Sequence, residues 1–124
     1  MDIDVRTVST AALAYLGDSV IELLTRRHLV NEGHSSSKSL NAHAKKFVSA
    51  QAQAAAMERL LPHLDEEETA FFRRGRNMGH TNTPKSATVA QYRSATGMET
   101  LFGYLYLVGQ EARASELFAL AYPE

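Results

Sequence analysis

The feature that most constrains this chain is an apolar run at residues 13–24, LAYLGDSVIELL, which carries two carboxylates four positions apart. At 3.6 residues per turn the run predicts an amphipathic helix, with Asp18 and Glu22 on a face of their own. The apolar stripe comprises Leu13, Leu16, Val20, Leu23 and Leu24, and the acids have Ala11, Tyr15 and Ile21 near them. A carboxylate among such neighbours loses water, and it is tolerated only when protonated, paired with a cation or bound to a metal. We therefore expect this helix to carry a site rather than a solvent face.

The composition favours one helical domain. A chain of 124 residues can bury one hydrophobic core, so we expect a single domain over residues 1–124. Proline and glycine are few and alanine is abundant, which favours an all-α fold. The absence of cysteine removes disulfides, thiolate zinc sites and thiol nucleophiles. No apolar run approaches membrane-spanning length and the N-terminus does not resemble a signal peptide, so we expect a cytoplasmic protein without a membrane partner.

Hydrophobic periodicity and turn signals divide the chain into five predicted helices. We expect them at about residues 10–30, 40–61, 66–76, 88–108 and 112–121. Between the third and the fourth, residues 77–86 contain Gly, Pro, Asn and Thr without periodicity, which indicates an exposed and mobile loop. Functional residues often lie on loops of this kind.

A second acid with uncharged neighbours occurs late in the chain. Glu99 shares a helix face with Tyr92, Ala95, Thr96, Gly103 and Tyr106. The histidines show no pair at helical zinc spacing, and there is no phosphate-binding glycine motif and no serine elbow. What remains is an oxygen-only site for a hard cation, built from Asp18 and Glu99 with Glu22 as a third candidate. Two alternatives stay open: the buried acids pair with an arginine such as Arg93, and Glu22 pairs with Arg26 one turn on.

The net charge of −1 conceals an uneven distribution. Acids cluster at residues 65–68, and only basic side chains carry charge from there to Glu99. These basic side chains are Arg73, Arg74, Arg76, Lys85 and Arg93. A local basic segment on a nearly neutral protein is suited to phosphate contacts. In the alternative interpretation, Arg73 and Arg74 pair with the acids one to two turns earlier on the same helix.

Several motifs resemble one known family. Residues 13–20, Leu-Ala-Tyr-Leu-Gly-Asp-Ser-Val, resemble the signature helix of the ribonuclease III family. Further stretches narrow the resemblance: KFVSAQAQA at 46–54, RRGRN at 73–77, TPK at 83–85, QYR at 91–93 and ETLFGYL at 99–105. Together they are similar to the mini-ribonucleases III, which consist of the catalytic domain alone. The resemblance covers nearly the whole chain, with the motifs in the same order and spacing.

The resemblance implies an all-α, ribonuclease III-like helical bundle. It implies a homodimer that acts on double-stranded RNA with Mg²⁺, or Mn²⁺ in its place, each subunit cutting one strand. Asp18 and Glu99 map onto the catalytic metal-binding pair, with Glu22 and Thr96 as supporting residues. Larger relatives carry further acids at the positions of Ala14 and Thr96, and the mini-ribonucleases resemble this chain in lacking them. The number of metal ions therefore stays open.

Without a separate RNA-binding domain, such an enzyme must hold the duplex with its own basic residues, because a narrow major groove hides the bases and leaves phosphates and 2′-hydroxyls to contact. The candidates are Arg73, Arg74, Arg76, Asn77, Lys85 and Arg93, followed by Lys45 and Lys46.

The resemblance also implies maturation of 23S ribosomal RNA precursor ends, with a ribosomal protein that presents the substrate as a further partner. Two other interpretations of the sequence are alternatives to an active nuclease. A catalytically silent dimer of this fold would serve RNA binding or ribosome assembly, but it need not retain Asp18 and Glu99. A helical nucleotide pyrophosphatase would want clustered Glu-x-x-Glu pairs, and the acids at 65–68 lie at an exposed helix start.

Overall fold

The computed structural model describes residues 3–79 and 86–123, and all regular structure within these ranges is helical. Two short 3₁₀ turns, Val5–Thr7 and Leu61–His63, accompany the α-helices. The α-helices are α1 (Thr10–Asn31), α2 (Ser37–Val48), α3 (Ala50–Leu60), α4 (Glu66–Arg76), α5 (Val89–Leu107) and α6 (Glu111–Ala121). The prediction of an all-α fold is confirmed. Among the described helices, none is both long enough and apolar enough to cross a lipid bilayer.

Local capping chemistry explains where the helices begin. The Ser9 hydroxyl accepts a hydrogen bond from the Ala12 amide and starts α1. Asp65 and Glu68 form a reciprocal capping box at α4, and Thr88 and Gln91 form another at α5. These starts agree with the predicted boundaries to within a residue. A side chain that satisfies free amides is a local signal, so the sequence alone identifies it.

One predicted helix is wrong. The sequence suggested a single helix from about residue 40 to 61, but the structure has two, α2 and α3, which meet at Ser49. Ser49 has an extended backbone (ψ 153°), and its hydroxyl accepts from the Ala52 amide as the N-cap of α3. The apolar periodicity continues across this break, because both helices turn an apolar face to the same core. The Ser49 hydroxyl can bond to a nearby backbone amide and so begin a new helix. The continuous apolar periodicity gave no indication of this break.

Helix α5 lies at the centre of the fold and packs chiefly against α1, α4 and α3. From Ala95 to Leu105 every residue is buried except Glu99, which is half-buried. The fully buried side chains come from several helices and include Leu13, Ile21, Met57, Leu60, Met98, Leu101, Phe102, Leu105 and Leu117. Within this buried stretch of α5, Glu99 is thus the residue that reaches the surface, and it carries a charged group.

Helices α1 and α5 approach each other so closely that no Cβ fits between them. A Cβ on Gly17 would lie 1.6 Å from the Glu99 carbonyl oxygen, and a Cβ on Gly103 would lie 2.0 Å from the Leu13 carbonyl oxygen. Glycine inside a helix costs about 1 kcal/mol relative to alanine, so two glycines here imply a packing reason. That reason is backbone contact, and it brings the residue after Gly17, Asp18, beside Glu99.

Candidate active site

Asp18 and Glu99 share one open cleft of about 260 Å³ between α1 and α5. Asp18 is exposed at the rim, whereas Glu99 is half-buried. The remaining lining residues are Ala11, Ala14, Tyr15, Met78, Tyr92 and Thr96. The structure therefore brings together two acids that are 81 positions apart in sequence (99 − 18), as the sequence predicted.

The electrostatics of this pair are unfavourable for two free carboxylates. Burial raises the pKa of Glu99 to about 8, and the neighbouring Asp18 carboxylate adds to the rise. Both effects disfavour a second negative charge at the site. A cation between the two oxygens would remove the repulsion and restore the ionised form. The donor set, carboxylate oxygens alone, is the one that Mg²⁺ prefers.

The expectation that the acid-bearing face of α1 is shielded from water is wrong for the single chain. Ala11 and Asp18 are exposed, and Tyr15 and Leu23 expose 84% and 63% of their surface. Ile21, placed near the acids in the prediction, is fully buried in the core instead. Leu23, predicted as part of the apolar stripe of α1, faces outward instead.

Glu22 does not reach the cleft. It lines a separate groove between α1 and α2 and accepts a hydrogen bond from Arg26 Nε at 3.3 Å. This is the alternative that the sequence left open for Glu22. The other alternative is not observed, since within the described residues Asp18 forms no ion pair with Arg93.

Thr96 lines the cleft one turn before Glu99 and is buried. Its hydroxyl donates to the Tyr92 carbonyl at 3.1 Å, which leaves the oxygen lone pairs free to accept from water in the cleft. In the part of the chain that the structure describes, no group of three or more His, Asp or Glu side chains is arranged to hold a metal. A metal held here would therefore take most of its ligands from water and substrate.

Three of the predicted RNA-binding residues line one depression. Arg76 and Asn77, at the end of α4, face Arg93, on the first turns of α5, across a depression of about 420 Å³. All three are exposed, and Arg76 Nε contacts the Asn77 side-chain oxygen at 3.2 Å. Met78 and Tyr92, the chain neighbours of Asn77 and Arg93, line the cleft of Asp18 and Glu99, so this basic depression adjoins that cleft.

The other predicted RNA-binding residues are placed differently. Arg73 is exposed and Arg74 is half-buried, and neither pairs with the acids at 65–68 among the described residues. Lys45 and Lys46 are exposed on α2, with Lys45 at the groove that also holds Glu22. Lys85 lies outside the described residues, as does the rest of segment 80–85 of the predicted loop.

Sequence reasoning missed residues that build the cleft without carrying charge. Gly17 and Gly103 set the distance between the helices, and Met78 forms one wall. The two helical glycines could have been recognised in the sequence, because glycine destabilises a helix interior and usually occurs there for packing or function. Met78 gave no signal, since it joins the cleft only through the packing of α4 against α5.

Comparisons with known proteins identify a family for this chain. The ribonuclease III domain family matches residues 11–110, which contain both acids. The chain is 44% identical to the mini-ribonuclease 3 of Symbiobacterium thermophilum over 93% of this chain and 88% of that protein. It is 41% identical to the mini-ribonuclease 3 of Enterococcus faecalis over 92% and 88% of the two chains.

The fold has a match among solved structures. A crystal structure of a protein from Fusobacterium nucleatum superposes with a TM-score of 0.84 at 31% identity, covering 94% of this chain and 93% of that one. Similarity of sequence and of fold thus extends along nearly the whole chain. The chain therefore belongs to the ribonuclease III family of endoribonucleases, in the group of the mini-ribonucleases III.

Proposed function

We propose that this protein is a magnesium-dependent endoribonuclease that cleaves double-stranded RNA at the cleft of Asp18 and Glu99. The observation that carries the proposal is the placement of these two acids, one exposed and one half-buried, in one open cleft of a ribonuclease III domain. Both are the residues that the family resemblance assigns to metal binding. An open cleft admits a phosphodiester, which a closed pocket would not.

Asp18 and Glu99 would hold Mg²⁺, with Mn²⁺ as a substitute of the same ligand preference. When bound, the metal supplies a water of lowered pKa and neutralises charge on the phosphate. The chain's own contribution is geometric: the Gly17 contact fixes Asp18 relative to Glu99, and the Thr96 hydroxyl oxygen accepts a hydrogen bond from water in the cleft. With two carboxylates the metal site is weak until RNA phosphate completes it.

The duplex would lie across the basic depression beside the cleft. Arg76, Asn77 and Arg93 contact the backbone there, and the exposed Arg73 one turn earlier on α4 adds charge. Lys45 and Lys46 on α2 extend the contact, and Lys85 is a further candidate from the sequence. These contacts go to phosphates, so they position the RNA without reading its bases.

We further propose a homodimer in which each subunit cuts one strand. The exposed stripe of α1 supports it, because Tyr15, Leu23 and Val30 leave apolar side chains open to solvent along this helix, and Tyr15 also lines the cleft of Asp18. Exposed apolar surface of this kind on one helix favours burial by a partner. A second copy on this stripe would also supply the desolvation that the sequence predicted for this face.

The family resemblance supports finer proposals. The substrate is a ribosomal RNA precursor, matured at the ends of its 23S segment in the cytoplasm, and a ribosomal protein presents it to the enzyme. An RNA duplex taken from such a precursor is therefore the substrate of choice for an assay.

The test is cleavage of a long RNA duplex by the purified protein with Mg²⁺, compared with Asp18→Asn and Glu99→Gln. Each variant should lose about a hundredfold or more in rate, since even the loss of an outer-shell partner of a metal ligand costs 10- to 100-fold. Glu58→Gln, an exposed acid on α3, is the matched control and should retain the wild-type rate. Equal cutting by all four proteins, or cutting by none, would reject the proposal.

Salt dependence tests the RNA surface separately. Because each phosphate contact releases a counterion, cleavage at subsaturating RNA should fall steeply with salt. Arg76→Gln and Arg93→Gln should each reduce the slope of log affinity against log salt by about one. A charge-removing change at either position that leaves RNA affinity and slope unaltered would contradict the assignment of the basic depression.

A further inference from the structure

We propose that Arg74 is a positioning residue that sets the width of the catalytic cleft by tying the end of α4 to the start of α1. The sequence suggested Arg74 as an RNA contact, alongside its neighbour Arg73. The structure separates the two neighbours, since Arg73 is exposed and Arg74 is half-buried and hydrogen-bonded within the chain. The kinetic part of the inference rests on the proposed function, whereas its structural part does not.

The guanidinium of Arg74 reaches across from α4 to the segment where α1 begins. Its Nη2 donates to the Val8 carbonyl at 2.8 Å and to the Thr10 hydroxyl at 3.1 Å, and its Nε donates to the same hydroxyl at 3.3 Å. Charge-assisted hydrogen bonds from a planar fork fix both distance and orientation. One side chain thereby holds two backbone segments that are more than 60 residues apart in sequence.

Packing holds the same guanidinium from the other side. It lies 5.1 Å from the ring centroid of Phe71, one turn earlier on α4. The Phe71 ring in turn stacks on Tyr104 of α5 at 4.1 Å between centroids. Arg74 therefore joins α1 to a stacked aromatic pair that spans α4 and α5, and three of its five N–H donors are already used.

The two segments joined by Arg74 both contribute to the wall of the cleft. Ala11, on the first turn of α1, and Met78, just past the end of α4, both line it. Helix α4 packs extensively on α5 but touches α1 only lightly, so α1 and α4 are held together mainly through α5. The Arg74 hydrogen bonds cross that lightly packed gap. Their loss should let the Met78 wall move relative to Asp18.

The experiment compares Arg74→Ala with Arg73→Ala, a matched change of an adjacent arginine on the same helix. Thr10→Val removes the hydroxyl acceptor while keeping the side-chain shape, and Arg74→Lys keeps the charge while losing the fork. Steady-state cleavage of duplex RNA gives kcat and KM. Methyl NMR of Met78 and Ala11, in protein without metal or RNA, reports the cleft walls directly.

The positioning role predicts a different kinetic change from an RNA contact. Arg74→Ala should lower kcat about tenfold with KM within about twofold, since a misplacement of about 1 Å can cost up to 100-fold in rate. It should also shift the Met78 and Ala11 methyl signals. Thr10→Val should shift the same signals, and the two changes together should be less than additive, because they remove one interaction. Arg73→Ala should raise KM and leave the methyl signals in place.

The contrary results are distinct. If Arg74→Ala raises KM alone and both methyl signals stay in place, Arg74 is a phosphate contact and the inference is overturned. If Arg74→Ala does not fold, Arg74→Lys and Thr10→Val decide, and unmoved methyl signals with unchanged kcat in both overturn it. If the wild-type protein cuts no duplex RNA, the proposed function fails, while the methyl signals still support or overturn the tether.

Discussion

Asp18 and Glu99 meet at one cleft but lie in different environments. Asp18 is exposed to solvent, whereas Glu99 is half-buried and has a pKa raised to about 8 by burial and by the Asp18 charge. At neutral pH the unfolded chain ionises Glu99, whereas the metal-free folded protein keeps it mostly protonated, so Glu99 opposes folding. The closeness of two acids in a partly buried site favours the binding of a cation. Without a cation, the same closeness lowers the free energy of unfolding. Functional sites commonly show this trade between stability and activity.

Glu99→Gln should make the metal-free protein more stable at neutral pH while abolishing cleavage. The amide keeps the shape of the side chain and removes the ionisable carboxyl group, whose negative charge is disfavoured by burial and by Asp18. The measurement is the urea midpoint in the presence of a chelator, with Glu58→Gln as control, which should leave the midpoint unchanged. Added Mg²⁺ should narrow the difference between the urea midpoints of the variant and the wild type, because it stabilises the wild type alone. A midpoint for Glu99→Gln below that of the wild type would contradict this account.

Glu68 shows the opposite behaviour. It is buried and accepts hydrogen bonds from Arg113 Nε at 2.8 Å, from Arg113 Nη2 at 2.9 Å and from the Asp65 amide at 2.9 Å. The Arg113 hydrogen bond holds the pKa of Glu68 below its ordinary value of 4.5. Arg113 also donates to the His63 carbonyl, so the pair joins α4 to α6 and to the turn before α4. Its role is structural.

The pH dependence of stability follows from the sign of the Glu68 shift. A folded-state pKa below the unfolded one stabilises the fold above the unfolded value, and this contribution is lost as pH falls through the folded pKa. Glu68→Gln should therefore cost about 2 kcal/mol near pH 7, as expected for a hydrogen bond to a charged group. The cost should shrink as the pH falls below 4.5 and Glu68 itself is protonated.

Urea midpoints measured from neutral to acidic pH test this prediction. Glu66→Gln, an exposed acid two residues earlier, is the control and should cost little at any pH. A constant difference between wild type and Glu68→Gln across this pH range would show that the ionised carboxylate is not the source of the stabilisation.

At the scale of elements, the contact between α1 and α5 decides the geometry of the site. The backbones touch at Gly17 and Gly103, so the helices cannot slide or separate without opening the cleft. Close-packed interiors respond to added volume by shifting whole segments when the obstacle is backbone. The distance between Asp18 and Glu99 is therefore a property of helix packing, and neither side chain controls it alone.

Gly17→Ala should destabilise the protein strongly, by roughly 3 kcal/mol or more, at the upper end of overpacking costs. The added Cβ would lie 1.6 Å from the Glu99 carbonyl oxygen, so the helices must move apart. Gly79→Ala is the control, because a Cβ there has no neighbour within 4 Å and should cost little. Thermal unfolding of both variants checks the prediction. Equal midpoints would show that α1 and α5 are less closely packed than described.

At the scale of the whole molecule, the exposed stripe of α1 is the feature that one chain leaves unexplained. Tyr15, Leu23 and Val30 expose 84%, 63% and 62% of their surface, respectively. In the single chain, Tyr15 of this stripe also lines the cleft that holds Asp18. The proposed homodimer would bury it and place two clefts on one particle, as cleavage of two strands requires.

Leu23→Glu should convert the proposed dimer to monomer, because a carboxylate cannot be buried in an apolar interface without a partner. Sedimentation analysis measures the change, and cleavage of both strands should fall with it. Leu61→Glu is the matched control, since Leu61 is 43% exposed but lies in the 3₁₀ turn after α3. A wild type that sediments as a monomer, or a Leu23→Glu variant that stays dimeric, would contradict the proposal.

The sequence by itself determined the helical class, most helix boundaries and the identity of the two acids. These depend on local chemistry: caps at Ser9, Asp65 and Thr88, and acids placed among uncharged neighbours. It missed the break at Ser49 because an apolar period continues through the cap. Such local interactions do not depend on the rest of the chain, so they can be predicted from the sequence.

Only the tertiary structure decided which side of α1 faces water, and which charges are used inside the fold. Arg74 and Arg73 are equivalent in sequence, yet only Arg74 reaches Val8 and Thr10. Glu68 pairs with Arg113 of another helix rather than with the arginines of its own. Such choices depend on how distant helices pack against one another, and contacts between distant segments leave no periodic trace in the sequence.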